Sequence, residues 1–368
     1  MADVALEGLC KGFNHPVLDG LDLEVAEGEF FAVVGPSGIG KTTLLRCIAG
    51  LEAPDAGRVF IGGVDVTETP PYRRGVAMTF ESYALYPHLS VFENIASPLR
   101  ARRAGSAVIR ERVAAIARLL RIETLLERKP GEISGGQKQR TALGRTLVAE
   151  PDVFLLDEPI SHLDAKIRHE LRQEFHNLPA LRRVACIYVT HDYAEALALG
   201  DRIGVLGGGV LVQTGTPEEV FEHPNSLFVA QHLGNPAINA LTCRLTTRGG
   251  TLYAECEGTR FSFPVAAAHA GALRRANSDT VIAGIRPQFI EALEEGAPGD
   301  DRPMVEADVE MFEALGSSGV LMVKAGGALM TVLTRPDDRY PPGARVRIAL
   351  DTTCFHYFDA ASGASLLL

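Results

Sequence analysis

The sequence contains no tryptophan, and its 368 residues include only six cysteines and six lysines. Positive charge is scarce. Asp and Glu number 46 against 36 for Lys and Arg, a formal net charge of −10. That balance excludes nucleic-acid binding across the whole surface. Arginine supplies nearly all of the positive charge, a skew that genomic codon bias explains. The cysteines (10, 47, 186, 243, 256 and 354) are scattered and form no C-x-x-C pair. Reduced thiols without a structural metal are therefore expected. No apolar run approaches the ~20 residues that a membrane helix needs. The start, Met1-Ala2-Asp3-Val4-Ala5-Leu6-Glu7, is acidic where a secretory signal would be basic, so a cytoplasmic chain is expected.

What is present divides in two. At roughly 150 residues per domain the length suggests about two domains. Up to about residue 236 strands alternate with helices, the pattern of a parallel sheet covered by helices. Phe30-Phe31-Ala32-Val33-Val34, Val153-Phe154-Leu155-Leu156 and Ala185-Cys186-Ile187-Tyr188-Val189 read as buried strands. Between the first two, Val108 to Leu120 sets Ile109, Val113, Ile116 and Leu120 on one helical face. Its arginines 110, 112 and 118 read as a solvated face. After Asn235-Pro236 the segments become short, alternating and turn-bounded, which predicts an all-β barrel or sandwich over 237–368.

The strongest chemical signal is Gly35-Pro36-Ser37-Gly38-Ile39-Gly40-Lys41-Thr42, a G-x-x-x-x-G-K-[ST] loop between a strand and a helix, followed by Thr43. Its main-chain amides can nest phosphate at a helix N-terminus, Lys41 can reach the β/γ-phosphates, and the Thr42 hydroxyl can ligate Mg²⁺. The second is the strand end Phe154-Leu155-Leu156-Asp157-Glu158-Pro159. A parallel strand delivers its C-terminal residues to the ligand crevice. Asp157 there can hold Mg²⁺, and Glu158 can polarise the attacking water.

Ile133-Ser134-Gly135-Gly136-Gln137 completes the set. It closely resembles the signature sequence of ABC ATPases. Ser134 and the glycine amides would make a second phosphate-seeking helix start ahead of a helix read over 139–149, which one phosphate loop cannot also use. A two-chain sandwich accounts for the surplus. In the family each signature caps the γ-phosphate held by the opposite subunit. The resemblance implies further roles. Phe13 stands where an aromatic residue stacks on adenine. Ser161-His162-Leu163-Asp164 resembles the D-loop, which places Asp164 at the nucleotide interface. Val189-Thr190-His191-Asp192 resembles the switch, whose His191 would contact the γ-phosphate. Met78-Thr79-Phe80-Glu81-Ser82-Tyr83 aligns with the Q-loop, with Glu81 in place of glutamine. A carboxylate there can still ligate Mg²⁺, but it adds negative charge near Glu158, so slowed or tuned hydrolysis is an alternative.

The resemblance reaches almost the whole chain. Tyr83 to Ile95 is similar to the segment that receives the permease coupling helix in sugar-type importers. Gln213 to Val220, His223-Pro224 and Phe228-Val229-Ala230 resemble the end of that ATPase type, and Gly284-Ile285-Arg286-Pro287 resembles its regulatory TOBE barrel. The implied fold is an α/β P-loop NTPase over 1–236, made of a RecA-like core, a helical subdomain at about 85–150 and an antiparallel β subdomain. An OB-like β barrel over 237–368 would follow. The implied function is an Mg-ATP-hydrolysing motor for a bacterial carbohydrate, polyol or glycerol 3-phosphate importer. A second ATPase subunit, two transmembrane permeases and a periplasmic or lipid-anchored solute-binding protein would be its partners, at the cytoplasmic face of the inner membrane. The alternatives are a hydrolytically weak regulatory subunit, and an importer of polyamine, sulfate or iron. A soluble DNA-repair or translation ATPase would carry coiled-coil insertions or a second cassette, and neither is found.

Overall fold

In the computed structural model the described residues are 2–80, 82–161, 163–178, 181–276, 278–294 and 302–368. The chain forms two compact units, Met1–Val220 and Phe221–Leu368. Residues 221–236, which the composition groups with the first half, thus belong to the second unit. The buried Arg286 gives the physical reason: its guanidinium donates to the carbonyls of Phe221 and Leu233 and lies 3.7 Å from the Phe221 ring centroid.

The first unit is built on a six-stranded sheet in the order 210–215, 202–207, 30–34, 185–190, 153–157, 76–79. All pairings are parallel except that between the first two strands. The strands Phe30–Val34, Val153–Asp157 and Ala185–Thr190 are buried at every position, as their unbroken apolar runs require. A second sheet pairs Ala2–Gly12 with Pro16–Ala26 and Ala56–Ile61, all antiparallel.

Helices Val91–Ala101, Ser106–Leu119 and Gly135–Leu147 make the helical part. On the middle one Ile109, Val113 and Ala117 are buried, while Arg110 and Arg118 face solvent and Arg112 pairs with Glu150 at 2.6 Å. The helix read from Gln139 onward begins four residues earlier, at Gly135, because Ser134 caps it. No helix of the described residues is long and apolar enough to cross a membrane.

The second unit has two five-stranded antiparallel sheets. One runs 262–264, 251–256, 239–248, 280–285, 356–359; the other runs 290–294, 345–350, 304–314, 319–325, 328–334. Residues from both sheets, among them Val281, Phe263, Leu321 and Ile348, share one apolar core. An OB-like, β-rich region therefore follows the α/β unit. Cys243 and Cys256 face each other across the hairpin that turns at Gly249-Gly250, with their sulfurs 3.2 Å apart.

Candidate active site

The phosphate loop leaves the sheet at Val34 and feeds the helix Lys41–Ala49. Gly40 caps that helix with φ 116°, a conformation that L side chains rarely adopt, and a Cβ there would lie 2.7 Å from Val17 Cγ1. A Cβ on Gly35 would lie 2.7 Å from the Leu206 carbonyl oxygen. Lys41 is only 6% exposed, and its ammonium donates to the Gly35 and Pro36 carbonyls at 2.8 and 3.0 Å. Its side chain thus folds back along the loop. Ser37 and Gly38 at the tip are exposed, whereas Ile39, Thr42 and Thr43 are half-buried. At the far end of the helix Arg74, 4% exposed, donates to the carbonyls of Cys47 and Ile48. A cation at that end also opposes the helix dipole. Nothing in the sequence singles Arg74 out.

The parallel register carries Asp157 to the same sheet edge. Thr42 Oγ1 donates to Asp157 Oδ1 at 3.2 Å, so a hydroxyl and a carboxylate sit side by side. These are the hard oxygen donors that Mg²⁺ takes. The Asp157 amide donates to Thr79 Oγ1 at 2.8 Å. Glu158 follows with φ 44°, a left-handed conformation uncommon outside glycine and frequent where strain serves a site. Several contacts hold it there. Its amide donates to the Val189 carbonyl (2.9 Å), its carbonyl accepts from Gln139 Nε2 (2.9 Å), and its Oε1 meets His191 Nδ1 at 2.9 Å. Strand Ala185–Thr190 brings His191 to this point; its side chain is 53% exposed and that of Glu158 17%. The structure therefore gathers Lys41, Thr42, Asp157, Glu158 and His191 around one sheet edge.

The remaining predicted residues form their own local units. Ser134 and Gln137 make a reciprocal capping box: Ser134 Oγ accepts from the Gln137 amide, and Gln137 Oε1 accepts from the Ser134 amide. Ser134 and Gly135 are exposed, Gly136 half-buried. Asp164 caps the helix Ala165–Asn177 by accepting from the Ile167 amide at 3.0 Å. Phe13 is 61% exposed, with the Lys11 ammonium 5.3 Å from its ring centroid, in an open concavity of about 430 Å³. Glu81 and His162 lie outside the described residues. Sequence reasoning missed Gln139 and Thr79, which hold the backbone around Glu158 and Asp157. Both act on main-chain atoms distant in sequence, and such contacts carry no pattern of residue types.

Comparison with known proteins separates family from fold. The sequence pattern of the family described as "ABC transporter" matches residues 18–161. Over 100% of both chains the sequence is 41% identical to the trehalose/maltose import ATP-binding protein MalK of Thermococcus litoralis. The chain belongs to the ATP-hydrolysing subunits of ABC transporters. The sn-glycerol-3-phosphate import ATP-binding protein UgpC of Escherichia coli is 42% identical over 99% of each chain. The sulfoquinovosyl glycerol transport ATP-binding protein SmoE of Agrobacterium fabrum is 41% identical over 100% of each. Among solved structures, the dimeric post-hydrolysis state of the ATP-binding cassette MJ0796 bound to ADP and Pi matches with TM-score 0.55 and 28% identity. It covers 58% of this chain and 98% of its own, so the ABC subunit extends beyond a single cassette.

Proposed function

We propose that this chain is the motor subunit of an importer for a carbohydrate, a polyol or a glycerol 3-phosphate-type solute. Two such subunits, alike or different, close around two ATP molecules. The observation that carries the proposal is the joining of the Thr42–Asp157 and Glu158–His191 pairs at one edge of the sheet, in a chain aligned end to end with importer ATPases.

The chemistry follows from the donors. The amides of Gly35 to Thr43 and the Lys41 ammonium cradle the phosphates, and Phe13 stacks on the adenine. Thr42 and Asp157, with Glu81, would hold Mg²⁺. When bound, Mg²⁺ neutralises charge on the phosphate oxygens. Glu158 orients a water and takes its proton as the general base. His191, tethered through Nδ1, contacts the γ-phosphate and fixes the carboxylate beside it. Ser134, Gly135, Gly136 and Gln137 serve the phosphate of the partner subunit, with Asp164 at the same interface.

Tyr83 to Ile95 receives the permease. In support, Asn94 is fully buried and ties down the Tyr86 amide and carbonyl, while Arg145 holds the carbonyls of Tyr83 and Ala84. The complex then sits at the cytoplasmic face of the inner membrane with two permeases and a solute-binding protein. The second unit is a TOBE-type regulatory domain.

Glu158→Gln keeps the shape of the side chain and removes its basicity. Turnover should fall at least about 100-fold, while ATP still binds and a dimer accumulates on a sizing column. Wild-type hydrolysis in that variant would reject Glu158 as the base. Glu81→Gln tests the weak-subunit alternative, which requires a gain in rate. Uptake of labelled sugars, polyols and glycerol 3-phosphate by cells carrying the transporter identifies the solute class.

A further inference from the structure

The hydrogen bonds around Glu158 and His191 continue into a cluster to which none of the motifs assigns a role. Arg168, in the first turn of the helix Ala165–Asn177, reaches two stretches of chain. Its Nη2 donates to the carbonyls of Ser161 (2.9 Å) and Leu163 (3.1 Å) in the D-loop-like segment. Its Nη1 lies 3.7 Å from Asp192 Oδ2, and its Nε lies 3.8 Å from Glu195 Oε1.

Glu195 is 1% exposed, and its Oε2 accepts from the Tyr188 hydroxyl (2.7 Å) and Thr190 Oγ1 (2.9 Å). Thr190 immediately precedes His191, and its Oγ1 also accepts from the Asp192 amide at 3.0 Å. On the other side Ser161 Oγ donates to the Glu158 carbonyl at 3.1 Å. The path from Glu158 through Ser161, Arg168, Glu195 and Thr190 to His191 closes on itself at the His191–Glu158 contact.

One link in that ring is open. Arg168 Nε and Glu195 Oε1 are both buried, and neither makes a hydrogen bond. They face each other at 3.8 Å, roughly 1 Å beyond hydrogen-bond distance. A buried donor and acceptor left unmade are costly, so a small movement that joins them is favoured. The guanidinium suits the position, because one edge can keep the two loop carbonyls while the other takes a carboxylate. Burial lifts the Glu195 carboxyl above its ordinary range, the Tyr188 and Thr190 hydrogen bonds oppose that shift, and a closer Arg168 would favour the charged form further.

We propose that Arg168 and Glu195 are positioning residues for ATP hydrolysis, whose Nε–Oε1 bond closes when the Ser161 and Leu163 carbonyls move and so fixes the turn carrying His191 against Glu158. The proposal rests on the reading of Glu158 and His191 given above. It makes movement at the D-loop-like segment felt at the general base through side chains of the same subunit.

Steady-state ATP turnover of the full chain tests it, using Arg168→Ala, Glu195→Gln, the double variant and Glu158→Gln. Each single change should lower kcat about 10-fold while KM for ATP stays within about twofold. The double variant should be no slower than the slower single one, because both substitutions break one bond. Single variants with kcat within about twofold of wild type, losses that multiply in the double, or a rise in KM with kcat unchanged would each overturn the proposal. If Glu158→Gln hydrolyses normally, the reading of the site fails and the proposal with it. If Glu158→Gln is dead while Arg168→Ala is active, only the present inference fails.

Discussion

Glu195 shows how far a single side chain departs from its sequence context. It follows His191 by four residues on a short helix, yet it is buried and hydrogen-bonded to two hydroxyls of the neighbouring strand. Burial raises its carboxyl pKa, so ionising it in the fold costs free energy. The sign is that of an acid with a raised native pKa. The penalty is absent below the pKa of an unfolded glutamate, and it grows as pH rises through the native one. Glu195→Gln removes the titration. The stability of the variant relative to wild type should therefore improve steadily from acid to neutral pH, as read from denaturant midpoints. A stability difference that is the same at every pH would mean that the carboxyl does not titrate with a raised pKa. Lys41 makes the opposite case, because its type and position were both legible: the G-x-x-x-x-G-K spacing places an ammonium against the carbonyls of its own loop. Lys41→Ala should weaken ATP affinity at least about tenfold, a loss of one charge-assisted contact, measurable by nucleotide titration.

Among elements, legibility follows the range of the forces that form them. The strands Phe30–Val34, Val153–Asp157 and Ala185–Thr190 were readable because burial on both faces demands unbroken apolar runs. The start of the helix at Gly135 was also readable in principle, since Ser134-x-x-Gln137 is a capping box. Contacts between distant strands were not readable: Asn239 donates to the Thr331 carbonyl 92 residues further on, and no local pattern states that meeting. The same holds for Arg74, whose partners are carbonyls at the end of another element. The last strand, His356–Asp359, carries a testable consequence of such packing. Burial, with Arg286, His223 and His269 nearby, pushes the His356 imidazole down to about 4 from an ordinary 6.5. The unfolded chain then binds a proton that the folded one refuses. Stability is lost as pH falls from about 6.5 toward 4, by up to roughly 3 kcal/mol. His356→Gln should flatten that acid limb in unfolding curves followed between those pH values, and an unchanged limb would remove His356 as its cause.

At the scale of the whole molecule, the chain divides into the units Met1–Val220 and Phe221–Leu368. Lys41, Thr42, Asp157, Glu158 and His191 all lie in the first unit, whose apolar clusters surround its own sheets. The second unit has a core drawn from its two sheets, built from residues such as Phe263, Ile348 and Tyr357. A unit with its own core can unfold as its own cooperative step, so calorimetry should resolve two transitions rather than one. A ligand raises only the transition of the unit that binds it. At a free concentration near 100 times its Kd, that amounts to about 2.7 kcal/mol. For a unit of this size the midpoint should rise by roughly 5–10 °C. ADP with magnesium should therefore move one transition and leave the other in place. Tyr357→Ala, which empties a fully buried site in the second core, should lower only the transition that the nucleotide does not move. If nucleotide and Tyr357→Ala shift the same single transition, the two units unfold as one body. The β-rich unit would then be part of what ATP stabilises.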